Sequence, residues 1–197
     1  MSSSSVAQLK ALSDLFDEAL TYCQPESVAV LGIAGGNGLD RIDPRTTRRV
    51  VGIDIQPTYL EAVRHRYPRL PLTLHCIDLE YQTVNEQAVE LVYAALIFEH
   101  AGTGQCLQNA ASLVAPDGHL AVVLQLSSPV QEDISPAQFQ TMRLLGGHFR
   151  LVGQAEMQES LESTGFTLRH QTRCELLGGK ALWLGVFGRT SGSKCPH

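Results

Sequence analysis

This chain has little of what would mark it for export, for a membrane or for a metal. Its five cysteines, Cys23, Cys76, Cys106, Cys174 and Cys195, form no Cys-x-x-Cys pair. Their odd number and wide spacing argue against a disulfide framework or a zinc ribbon, and fit reduced thiols in a cytoplasm. The start, Met1 to Ser5, is polar and lacks the basic-then-apolar pattern of a signal peptide. No apolar run approaches membrane-spanning length. Cytoplasmic location with no membrane partner is the expectation. His65, His75, His119 and His170 show no ligand spacing, and Cys195 with His197 in a loose tail does not make a site, so no metal is assigned.

Excess positive charge is also absent. The net charge of −5 argues against a broad grip on phosphate backbones, so nucleic acid is not the expected partner. Seven arginines between Arg41 and Arg69 concentrate in the first third, and a set of solvated helix and loop faces accounts for them. No Gly-Lys-Ser/Thr phosphate loop occurs, and no Asn/Asp-Pro-Pro-Tyr/Phe tetrapeptide follows the fourth apolar run.

What is present is ordinary globular composition, 44% hydrophobic over 197 residues, which suits one domain with a substantial core. Apolar residues recur at helical spacing from Val6 to Leu20, giving a helix that ends near Tyr22. Strands are predicted at 27–31, 49–53, 72–76, 91–95 and 119–126, with a turn at Ala115-Pro116-Asp117-Gly118. Helices are predicted as a short piece from Gly38 to Asp43, then from Pro57 to about Tyr67, from Gly104 to Val114 and from Gln154 to Thr164. Two β-rich runs, 166–176 and 181–188, flank Gly178-Gly179-Lys180 and read as an antiparallel hairpin. Together these predict an α/β three-layer sandwich. Its doubly wound, mainly parallel seven-stranded sheet carries an antiparallel terminal strand. The segment 127–150 is a candidate lid, in which Phe139, Met142, Arg143, His148 and Phe149 could shape a pocket; a peripheral helix with a buried apolar stripe is the plainer alternative. Tails are expected at about 1–5 and 190–197.

The most informative stretch is Val28-Ala-Val-Leu-Gly-Ile-Ala-Gly-Gly-Asn-Gly38. An apolar strand runs into a glycine-rich loop, and a second apolar strand ends on Asp54. That is the layout of a nucleotide-binding α/β site. A dinucleotide fingerprint fits poorly: the only Gly-x-Gly in this loop is Gly36-Asn37-Gly38, and the third glycine would fall on Arg41. The loop alone also fits a tight turn.

The strand ends taken together resemble class I S-adenosylmethionine-dependent methyltransferases. The first motif aligns with residues 30–38, the second with Val51-Gly52-Ile53-Asp54-Ile55, and the third with Cys76-Ile77-Asp78-Leu79. The fourth aligns with Leu91 to His100, and the turn before strand five with Pro116-Asp117-Gly118. The resemblance spans nearly the whole chain and implies one methyltransferase-like domain over residues 1–197. It implies S-adenosyl-L-methionine as cofactor, S-adenosyl-L-homocysteine as product and a small-molecule methyl acceptor.

It also implies a cofactor site of Gly32, Ile33, Ala34, Gly36, Gly38, Asp54, Ile55, Asp78, Leu79 and Ala94. Asp54 would accept the two ribose hydroxyls and Asp78 the adenine amine, with Ile55 and Leu79 sandwiching the ring. Asp54 could instead cap the following helix, and Asp78 could simply form a turn. Glu99 and His100 are candidates to meet the acceptor or act as base; a surface charge, and a helix cap or loop hydrogen bond, are their alternatives. Two positions depart from the family pattern. Gly32 stands where an acid holds the methionine amine, and Ala34 where the first loop glycine stands. They keep open a binding module that has lost activity, and a nicotinamide-dependent oxidoreductase is a third reading.

Overall fold

A computed structural model describes residues 3–126, 150–176 and 179–190. The candidate lid up to Phe149, Gly178 of the hairpin turn and the tail after Thr190 lie outside the described residues.

Seven strands form one sheet in the order β3-β2-β1-β4-β5-β7-β6. They are β1 (Ser27–Leu31), β2 (Arg49–Asp54), β3 (Leu72–Cys76), β4 (Val89–Ala95), β5 (Val114–Leu126), β6 (Phe166–Glu175) and β7 (Ala181–Arg189). The pairings from β3 through β5 are parallel. β7, the last strand among the described residues, lies antiparallel between β5 and β6. The chain winds outward from β1 to β3, crosses back to β4 and continues to β5. The order therefore reverses between β1 and β4, the place where ligand crevices form in such sheets.

Alternation along the strands makes three layers. Val28 and Val30 face one side with Val50, Leu91 and Tyr93, under α1 (Ser3–Cys23) and α2 (Pro57–Arg66). Ala29 and Leu31 face the other side with Val51, Ile53 and Val92, under α4 (Gln105–Leu113) and α5 (Gln154–Ser163). Both faces of the central strands are covered, which is why these runs read as continuously apolar.

The structure departs from expectation in three places. The predicted turn 115–118 lies within β5 as a bulge: register jumps from Val89 opposite Val114 to Leu91 opposite His119. Gly118 is required there, since a Cβ would sit 2.8 Å from the Glu90 carbonyl oxygen. A one-turn helix, α3 (Phe98–Ala101), follows β4 and is too short to show periodicity. Last, α1 begins at Ser3, inside the expected tail. The arginines at 41, 45 and 49 reach carboxylates of Asp14 and Asp17, of Asp43, and of Glu86 respectively, as charged faces do.

Gly52 in β2 supports the loop after β1. A Cβ there would lie 2.5 Å from Ile33 Cδ1 and 2.7 Å from Leu74 Cδ2. Gly52→Val is expected to destabilise the fold by about 1–3 kcal/mol through overpacking, read by chemical denaturation.

Candidate nucleotide cleft

The loop after β1 is bound to β2 by its backbone. The N–H groups of Gly32 and Ile33 both donate to the Ile53 carbonyl, at 2.9 and 3.0 Å. Ala34 N–H donates to Asp54 Oδ2 at 2.8 Å. To make these bonds the chain turns left-handed at Gly32 (φ +67°), Ala34 (φ +44°), Gly36 (φ +75°) and Gly38 (φ +88°). At Gly36 and Gly38 the missing Cβ also serves packing. A side chain at Gly36 would meet Tyr67 Cε2 at 2.8 Å, and one at Gly38 would meet Phe16 Cδ1 at 3.0 Å. Tyr67 Oη donates to the Gly36 carbonyl, and Asn37 Nδ2 reaches the Leu9 carbonyl of α1.

A cleft of about 170 Å³ opens at the carboxyl ends of β1 to β4. Of the residues named from sequence, Gly32, Asp54, Ile55, Asp78, Leu79 and His100 line it. Ile77, Glu80, Ile97 and Ala101 join them. Ile33, Ala34, Gly36, Gly38, Ala94 and Glu99 are not among its lining residues. Ala94 is fully buried within β4, in register with Leu31 on one side and Val122 on the other. Ile97 carried no signal in the sequence, since it stands in the loop after β4. Its Cδ1 would lie 2.8 Å from a Cβ on Gly32, so Ile97 fills the space that a longer side chain at 32 would need.

Asp54 is 7% exposed. Its Oδ1 accepts Gln56 N–H and its Oδ2 accepts Ala34 N–H, each at 2.8 Å. The N-cap of α2 is Gln56, so Asp54 is not that cap. Asp78 does form a turn: Oδ1 accepts Glu80 N–H at 3.0 Å, and its carbonyl accepts Gln82 N–H at 2.8 Å. The same residue lines the cleft, so both readings describe it. Leu79 is buried and Ile55 is 53% exposed, an apolar side chain held at the mouth.

Glu99 and His100 are neighbours on α3 and point to different environments. His100 is exposed and lines the cleft. Glu99 is 1% exposed rather than on the surface. Its Oε1 accepts Gln125 N–H at 3.0 Å, its carbonyl accepts Arg150 N–H at 2.9 Å, and Oε2 has no hydrogen-bond partner among the described residues. Burial raises its pKa above the usual glutamate range, and the Gln125 N–H offsets this only in part.

The folded state therefore keeps a proton on Glu99 that the unfolded chain releases at lower pH. Stability from this group is complete below the unfolded value and is lost as pH rises through the folded one. Glu99→Gln retains an acceptor for Gln125 N–H without the ionisation. Its stability relative to the parent protein is expected to rise as pH increases above the ordinary glutamate range, read by denaturation at each pH. At Ala34 the left-handed backbone is strained for a residue with a Cβ, at about 1–2 kcal/mol. Ala34→Gly is expected to stabilise by about 0.5–1 kcal/mol, after the added unfolded-state entropy, in the same assay.

Residues 29–122 match a methyltransferase domain family. A probable S-adenosylmethionine-dependent methyltransferase of Mycolicibacterium smegmatis is 28% identical over 145 residues, 73% of this chain and 53% of that protein. The chain thus spans about half the length of this curated relative. Among solved structures, the N-methyltransferase NodS of Bradyrhizobium japonicum WM9 in complex with S-adenosyl-L-homocysteine superposes with a TM-score of 0.70. That match has 17% identity and covers 91% of this chain and 86% of that one. Magnesium protoporphyrin IX methyltransferase of Synechocystis PCC 6803, also with S-adenosyl-L-homocysteine bound, gives 0.70 at 13% identity over 94% and 84%. The order of strands, the antiparallel β7 and the matched domain together show that this chain has the fold of class I S-adenosylmethionine-dependent methyltransferases.

Proposed function

We propose that this chain binds S-adenosyl-L-methionine in the cleft and catalyses transfer of its methyl group to a small-molecule acceptor, with S-adenosyl-L-homocysteine as product. The observation that carries the proposal is Asp54, a buried carboxylate at the end of β2, held by two backbone N–H groups and facing the cleft. An ionised carboxylate has about four acceptor positions, so two remain for a pair of vicinal ribose hydroxyls. Asp78 is the acceptor for the adenine amine, and Ile55 and Leu79 supply apolar contact to the ring. Gly32 lines the cleft beside Ile97 and places backbone within reach of the ligand.

Charge favours this ligand over a dinucleotide. Asp54, Asp78 and Glu80 line the cleft, and among the described residues no Lys or Arg does. A pyrophosphate would meet carboxylates there, whereas a neutral adenosine bearing a sulfonium would not be repelled. A cleft of about 170 Å³ suits the nucleoside end rather than cofactor and acceptor together, since ligand pockets for drug-sized molecules run to about 300–1,000 Å³. When bound, the sulfonium supplies the electrophilic methyl carbon, so the protein's part is to orient the acceptor and exclude water. His100, on the β4 side of the cleft, is the residue we assign to the acceptor.

Gly32 and Ile97 support a second reading, binding without turnover, because the position that would carry an acid is left-handed and already filled. Titration calorimetry tests the shared premise. S-adenosyl-L-homocysteine is expected to bind and NAD is not. Asp54→Asn is expected to weaken the first by about tenfold or more, the scale of one charge-assisted hydrogen bond. Absence of binding at millimolar ligand, or binding of NAD instead, would sink the proposal.

A further inference from the structure

The chain leaves β3 at Cys76 and re-enters the sheet at Val89 through a crossover, residues 77–88, that holds no helix. Such a crossover has no internal ladder for its backbone, so its polar groups must be met from outside. One side chain meets three of them. Asn109, in the middle of α4, is 1% exposed. Its Oδ1 accepts Val84 N–H at 3.0 Å, and its Nδ2 donates to the carbonyls of Gln82 at 2.8 Å and Leu79 at 3.3 Å. Gln105 Nε2, one turn earlier, donates to the same Oδ1 at 3.3 Å.

The connection continues to the cleft. Gln82 Oε1 accepts the Asp78 N–H at 2.8 Å, and the Asp78 carbonyl accepts the Gln82 N–H at 2.8 Å. Asp78, Leu79 and Glu80 form one wall of the cleft. Asn109 itself is not among the lining residues, and its neighbours on α4, Cys106, Leu107, Ala110 and Leu113, are apolar core. What Asn109 adds to this apolar face is the grip on the crossover at Leu79, Gln82 and Val84.

We propose that Asn109 is a positioning residue for the adenine end of the cleft. It holds the β3–β4 crossover so that the Asp78 carboxylate keeps the place from which it meets the 6-amine of a purine. This rests on the reading that an adenosyl ligand occupies the cleft with its 6-amine on Asp78. A side chain that only stabilised the fold would affect melting. One that positions Asp78 also sets how strongly the 6-amine is recognised.

The test compares S-adenosyl-L-homocysteine with S-inosyl-L-homocysteine, in which a carbonyl replaces the 6-amine, by calorimetry on the full chain. In Asn109→Leu, affinity for the adenosyl ligand is expected to fall about tenfold while the inosyl ligand changes less than about twofold, so the preference collapses. Gln82→Ala, at an exposed position, is expected to reduce the preference in the same direction, and it decides the matter if Asn109→Leu does not fold. Leu113→Ala, in the same helix, is the control and is expected to lower the melting temperature with the preference retained. An unchanged preference in both Asn109→Leu and Gln82→Ala overturns the proposal. Parent protein that binds neither ligand overturns the reading of the cleft instead. Amide hydrogen exchange over residues 79–84 then judges the grip by itself: faster exchange in Asn109→Leu supports it, and unchanged exchange removes it.

Discussion

Two backbone N–H groups converge on the carboxylate of Asp54, one from the loop after β1 and one from the start of α2. A carboxylate this deeply buried is costly unless its lone pairs are met, and here the backbone meets them. In return the carboxylate sets the path of both segments. Ala34 must present its N–H inward, which forces the left-handed turn, and Ile33 then drops onto Gly52. The cleft is the space left between these two segments and the loops after β3 and β4. Without the Asp54 bonds, the wall containing Gly32 would lose one of its ties to the strand that carries the acid.

The glycines of this loop divide their work. Gly32 faces the cleft, while Gly36 and Gly38 let Tyr67 and Phe16 come close. Part of what resembles a ligand-binding motif is therefore a packing motif that locks the loop between α1 and α2. The unusual residue at 32 has a partner in space: Ile97, from the other side of the switch point, fills the room. The two positions form one apolar corner, and a change at either alters the other.

The loops after β3 and β4 are held from behind by buried polar side chains. Asn109 pins the first through three backbone groups. Glu99 joins the second to the end of β5 and to Arg150, the two points that flank the long segment before α5. In a helix of one turn, Glu99 faces the interior and its successor His100 faces the cleft. That reversal of direction separates a buried carboxylate from a side chain that lines the cleft.

The alternation of apolar strands with helices, the hairpin at the end and the acids at 54 and 78 were legible in the sequence. They follow from local rules: side-chain periodicity, turn chemistry and a strand that ends on a carboxylate. Those rules predicted the three-layer sheet; the site residues came from the family resemblance, and six of those it named line the cleft. The rest depended on contacts between residues far apart in the chain. Nothing local distinguishes Glu99 from a surface charge, Ile97 from any loop isoleucine, or Asn109 from a weak helix former. The bulge at Gly118 likewise exists because β5 presses on the carbonyls of β4. Periodicity reports which face of an element is buried; it does not report which backbone groups elsewhere lack a partner. Tertiary structure alone decides which side chains satisfy them, and here those side chains, Asn109 and Glu99, hold the loops beside the cleft from behind.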